Sequence, residues 1–307
     1  MSAEQSIESG VFEYPPVGCC IYCGAVPAES EPRLGDEHLF AYALGGGLVL
    51  PRASCQRCAE TINQEIESPI LRGPTSMLGR FHAQFGIKSR SRTGDELYPL
   101  RLEVEGVEQV VNLRIDDYPA VPVAFPAFGL PGIMRVPPSD KFCETRWLRI
   151  LPAVADNQAR LARLEERMGG KPCKVTIDYH TRLRPFTRML AKIAHSSAVA
   201  TFGLDGFEPF LPDVILGRNP AIGHFVGCIE GAPMRSVKTA HQIQYGLPWA
   251  SDRTYLGAAV RLYKSLDTPT YLVVVGKPSE KTERVLRAFP LPLAPLAFGA
   301  PSSQREH

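Results

Sequence analysis

Four cysteines in two pairs, Cys20-Ile21-Tyr22-Cys23 and Cys55-Gln56-Arg57-Cys58, frame the dipeptide Glu37-His38 near the start of the chain. Thiolates two residues apart can reach one tetrahedral Zn²⁺ from a tight turn or a helix start. Two such pairs make a closed four-Cys site, which is structural rather than catalytic because no coordination position stays open. Cys19 adjoins Cys20 and is a rival ligand, although the Cys-x-x-Cys-Gly pattern favours Cys20. His38 lies between the pairs, so the zinc would fix the frame that holds it. Arg52 and Arg57 flank the second pair. Either both meet phosphate or both are ordinary surface charge.

The elements that must hold these residues follow from local pattern. Residues 1–17 read as a flexible lead, with Pro15 and Pro16 stopping any helix. Cys20 to Gly24 is a compact knuckle. Glu37 opens an extended segment, and Gly45-Gly46-Gly47 demands a sharp turn or a backbone kept clear of side chains. Leu48 to Leu50 is a short strand that Pro51 ends. Ser54 is an N-cap for a helix carrying Cys55, Cys58, Ile62 and Ile66 at helical spacing, as far as about Ser68. Strand, strand, helix is the order of a ββα unit.

We assign residues 18–85 to this zinc-framed domain and 86–99 to a linker or basic loop containing Lys88-Ser89-Arg90-Ser91-Arg92. Residues 100–278 form a larger mixed α+β domain, and 279–307 a Pro-containing tail. The larger domain starts with a strand pair over 101–115 and an irregular Pro-rich stretch over 120–138. An amphipathic helix covers 157–168. A longer one covers 185–202, with Phe186, Met189, Leu190, Ile193 and Ala194 as its buried stripe. Strands over 255–263 and 270–275 make an antiparallel hairpin. His180, His195, His224 and His241 read as ordinary core or surface histidines. The expected fold class is therefore α+β.

Bulk properties bound the function. The formal net charge is +2, so any nucleic-acid surface must be a local patch. Cys19, Cys143, Cys173 and Cys228 are scattered and read as buried or free thiols. The N-terminus is acidic and polar, unlike a signal peptide, and no apolar run has the length of a membrane span. A cytoplasmic setting fits, since reduced thiols there bind metal instead of pairing as disulfides.

From Cys20 to Glu67 the chain resembles the HNH endonucleases, the ββα-metal nucleases. The residues that carry the likeness are Cys20-x-x-Cys23, Glu37-His38-Leu39, the Gly45–Gly47 turn, Leu50-Pro51-x-Ala53-Ser54 and Cys55-x-x-Cys58. The resemblance implies hydrolysis of DNA phosphodiesters, with RNA an open second substrate. It makes His38 the general base and Glu37 the acidic ligand of one Mg²⁺ or other divalent ion acting as a Lewis acid. In many zinc-framed members the helix ligand directly follows the last Cys. Here that position is Ala59, so Asn63 is the nearest candidate. It lies on the stripe of Ala59, about 80° from Cys55 at 100° per residue. Glu60 and Glu67 fall further round, toward solvent by this count. The rival reading is a non-catalytic nucleic-acid-binding or interaction protein that kept the zinc frame. One such site cuts one strand, so a double-strand break requires a dimer or two sequential events.

Overall fold

The structure is a computed structural model that describes residues 12–27, 33–72, 76–84, 96–120, 122–142, 145–150, 156–176, 182–230, 240–250, 253–266, 268–288 and 294–295. Residues 1–11 of the expected lead, the basic run at 88–92, Cys143, His180 and most of the expected tail lie outside these. The chain is mixed α+β, with helices and several sheets. By contacts it divides into two compact units that exchange chain: 1–125 with 149–201, and 126–148 with 202–307. Residues 97–114 and 157–201 thus belong with the cysteine pairs, and the division does not fall at residues 86–99. Local composition marks candidate linkers, but it does not say which distant helix completes a core. No helix among the described residues is long and apolar enough to cross a membrane.

In the first unit three strands form one sheet in the order β1 (Phe12–Glu13), β3 (Leu48–Ser54), β2 (Gly35–His38). β1 is parallel to β3, and β2 is antiparallel to it. Residues 12–18 are therefore not a loose lead. Phe12, Tyr14, Val17 and Gly18 donate backbone N–H groups to the carbonyls of Gly47, Val49, Pro51 and Arg52. Pro15 and Pro16, which have no N–H, fall between these donors.

β3 also runs through Pro51 instead of ending there. The ladder is already irregular at this point. Arg52 has a left-handed φ of 52°, and the β2–β3 register shifts between Gly35 and Glu37.

The glycine turn meets both demands that its sequence makes. Gly45 (φ 79°) closes the single 3-10 turn Tyr42–Leu44 by donating its N–H to the Tyr42 carbonyl. Gly46 packs on backbone, since a Cβ there would lie 2.0 Å from the Phe40 carbonyl oxygen. Gly46→Ala should therefore destabilise the first unit by about 1–3 kcal/mol. The check is its denaturant midpoint, and an unchanged midpoint would contradict this close approach.

The helix after β3 begins one residue later than expected. Cys55 (φ −76°, ψ 155°) is the N-cap of α1 (Gln56–Ile62), with no side-chain capping bond. A π turn over Asn63–Glu67 links α1 to α2 (Ser68–Leu71) without a break. Pro69 lies in α2 directly after the π turn, where it has no N–H to continue the backbone ladder. Ile62, Ile66, Ile70 and Leu71 bury one side of this composite helix, each such side chain stabilising by about 1.5–3 kcal/mol.

Downstream, the expected strand pair is a hairpin of Leu97–Val104 and Val107–Arg114. Its turn residues, Glu105 and Gly106, both have positive φ, as a primed two-residue turn requires. Cys173–Thr176 pairs on its other side. The helix Asn157–Arg167 falls where its periodicity put it. The long helix spans Leu183–Phe202. It is not amphipathic in effect, for every residue from Phe186 to Val199 is buried.

The second unit centres on an antiparallel sheet in which Gln242–Gly246, Leu256–Arg261, Thr270–Pro278 and Val226–Glu230 are neighbours in that order. The expected hairpin is its middle pair. Both strands are buried along nearly their whole length, which matches their continuous apolar runs. Ile229, Ala259 and Leu272 form a core cluster against which Leu130 and Met134 pack. The stretch after Pro278 starts with a helix, Glu280–Arg287, instead of a tail. Ser279 caps it by accepting the Thr282 N–H.

Candidate functional site

The two Cys pairs converge. The Sγ atoms of Cys20, Cys23, Cys55 and Cys58 all lie within 4.8 Å of one another. Cys23 and Cys55 are 3.7 Å apart. Sulfurs around a tetrahedral zinc would be about 3.8 Å apart with Zn–S bonds of about 2.3 Å. That separation excludes a Cys23–Cys55 disulfide, which needs about 2.05 Å.

The backbone prepares the geometry. Gly24, at φ 73°, donates to the Cys20 carbonyl, and Cys20 donates to Ala25. Ile21 donates to Ala53 at the end of β3, fixing the knuckle to the sheet. α1 then presents Cys55 and Cys58 from its first turn. These thiols can hold a metal ion such as zinc, and the cluster includes Cys20 while Cys19 stays outside it. Burial and the neighbouring thiols push the Cys58 thiol well up, so it would need a metal to become a thiolate.

Beside this frame is a pocket of about 430 Å³. Asp36, Glu37, His38, Glu67, Arg72 and Lys192 supply its polar lining. An ideal strand would put Glu37 opposite Asp36 and His38. The β2–β3 register is irregular between Gly35 and Glu37, and all three residues line one pocket. Asp36 also accepts the backbone N–H of Arg52. His38 is half-buried and its ring meets Tyr42 edge-on at 6.4 Å.

Glu37 is buried, and its partner is Lys192 of the long helix, with Nζ 2.5 Å from Oε1. The same ammonium reaches Glu67 at 3.3 Å and donates to the His38 carbonyl. Burial pushes the Glu37 carboxyl up, against the pull of Lys192. Burial alone would lower Lys192, but the two carboxylates outweigh it and hold the ammonium above its ordinary range. Burial and the same two carboxylates also raise Tyr22, keeping its phenol neutral.

The helix ligand expected at Asn63 is not in this pocket. Asn63 instead accepts a bond from Ser68 at 3.4 Å. A π turn begins here, with Ser68 donating its N–H to the Asn63 carbonyl five residues back, so the residues after Asn63 are the ones re-aimed. A count at 100° per residue fails across such a turn. It brings Glu67, which the count had sent toward solvent, into the pocket. Ala59 does face the pocket but has nothing to offer a metal. Among the described residues, the four cysteines are the one group of three or more Cys, His, Asp or Glu ligand atoms close enough to share an ion. Glu37 lines the pocket with its carboxylate paired to Lys192, and Asn63 does not line it. Arg52 and Arg57 are both exposed and do not line the pocket, whereas Arg72 does.

Three polar residues of the long helix escaped the sequence reading as a set. Arg188 pairs with Glu65 at 2.9 Å, and Lys192 holds Glu37 and Glu67. His195 Nε2 donates to the Ile21 carbonyl at 2.9 Å, inside the first Cys-x-x-Cys turn. Their spacing, i, i+4 and i+7, puts them on one helix face. The available signal was this polar stripe within an otherwise apolar helix. Polar groups buried in that way require partners.

Burial lowers His195 to about 4 from an ordinary 6.5, the bond to Ile21 opposing only in part. Between those values the unfolded chain binds a proton there that the folded chain does not. Stability should fall as pH is lowered through that window, by about 1.4 kcal/mol per unit and about 3 kcal/mol in all. His195→Gln keeps an amide donor for Ile21 and cannot titrate. Urea unfolding across the window should show this part of the slope absent from the variant. An equal slope in both proteins would contradict a buried neutral imidazole.

Compared with known family models, curated proteins and solved structures, the chain matches none.

Proposed function

We propose that this chain is an HNH-type nuclease that hydrolyses phosphodiester bonds of DNA, with His38 as general base. One observation carries the reading. His38 and Arg72 line a single pocket beside a four-thiol frame that holds the His38-bearing strand in place. Hydrolysis needs a water nucleophile, an acceptor for its proton and positive charge near the phosphate. The His38 imidazole takes the water proton as the water oxygen attacks phosphorus, the P–O bond to the leaving sugar oxygen breaks, and that oxygen departs as a hydroxyl with a proton from solvent. Arg72, exposed at the pocket wall, meets the phosphate oxygens. Glu37 and Glu67 are held by Lys192, which fixes the strand end that bears His38. We place zinc in the four-thiol frame and the protein in a reducing compartment such as the cytoplasm.

A second reading is favoured by the ion triad itself. With Lys192 seated between the two carboxylates, the pocket could serve a protein that binds nucleic acid without cutting it. Supercoiled plasmid separates the two readings. Conversion to open circles by zinc-loaded protein supports the nuclease, and retarded but intact plasmid supports the binding module.

A further inference from the structure

We propose that Lys192 is a positioning residue that serves as the pocket's resident cation, standing where a divalent ion would otherwise bind. Three oxygens converge on Nζ: the carboxylates of Glu37 and Glu67, and the His38 carbonyl. An ammonium has three N–H donors, so its capacity is matched by the oxygens present. Oxygen sets of this kind, two carboxylates and a carbonyl, are also what Mg²⁺, Mn²⁺ and Ca²⁺ take. The ammonium and a divalent ion cannot share the space, because like charges a few ångströms apart in a buried site repel strongly.

The helix leaves Lys192 little freedom to withdraw. Arg188, one turn before it, is held by Glu65, and His195, nearly one turn after it, is held by the Ile21 carbonyl. Its side chain is 1% exposed. The charge balance points the same way. Two carboxylates and one ammonium leave a net charge of −1. Without the ammonium, −2 would remain in a mostly buried place. A divalent ion would then be the natural replacement.

This deepens the nuclease reading by assigning the pocket its cation, and its test contains no DNA, so failure to cut plasmid leaves the outcome untouched. Zinc-loaded native protein, Glu67→Gln, Lys192→Met and the double variant Lys192→Met/Glu67→Gln are titrated with Mn²⁺. Bound and free ion are separated by electron paramagnetic resonance. Native protein and Glu67→Gln should bind Mn²⁺ alike. Lys192→Met should gain one equivalent over native protein, and the double variant should lose that gain. A native Mn²⁺ equivalent that Glu67→Gln removes would overturn the proposal. So would a folded Lys192→Met with no gain. If Lys192→Met does not fold, the comparison of native protein with Glu67→Gln decides alone.

Discussion

Replacing Cys58 with Ser should unfold the first unit and release its metal. Cys58 is 2% exposed and belongs to the cluster that joins the Cys20–Cys23 knuckle to the start of α1. Structural zinc contributes about 10–16 kcal/mol in small zinc-binding folds. That equals or exceeds the whole stability of an ordinary domain, about 5–15 kcal/mol. The remaining ligands cannot replace Cys58, since Cys19 lies outside the cluster. Zinc per chain, measured with a chromogenic chelator, should fall from one equivalent to nearly none. Far-ultraviolet circular dichroism should show lost structure, and stripping metal from the native protein should do the same. A metal-free variant with native dichroism and melting temperature would contradict this frame.

His38→Ala should act in the opposite way, on chemistry and not on the fold. Loss of a general base costs about 10²–10⁴-fold in rate. His38 is half-buried at the pocket, and its carbonyl, which Lys192 uses, survives the substitution. Single-turnover cleavage of a DNA duplex should slow by that factor, with urea midpoint and zinc content unchanged. Glu37 is a poorer probe. Removing it leaves the buried Lys192 with less compensation, and breaking a buried ion pair typically costs about 3–5 kcal/mol. Lost activity there would mix chemistry with stability. A His38→Ala protein that cuts at the native rate would remove His38 from the mechanism.

Local features were legible in the chain. Metal-ligand spacing is a short-range constraint, so the two Cys pairs could be read before any fold was known. The glycine turn was legible because Gly45 needs positive φ and Gly46 needs an absent Cβ. The hairpin of the second unit was legible because its strands are continuous apolar runs. Non-local features were hidden. Lys192 and His195 come from a helix more than 150 residues beyond the strand and knuckle they hold. Helical periodicity assigned that helix one apolar stripe, yet it is buried on every side. Glu67 was misplaced because one π turn changes the angular count beyond Asn63. Residues 12–17 of the expected lead were misread because parallel pairing with β3 leaves no mark in so short a segment.

The central claim is that the pocket beside the thiol frame cuts DNA through His38. Its most direct test is supercoiled plasmid incubated with zinc-loaded native protein and with His38→Ala, each confirmed folded. The account predicts open circles from the native protein and intact supercoils from the variant. Intact supercoils from both, whether or not Mg²⁺ or Mn²⁺ is added, would contradict it and leave a pocket that binds without cutting.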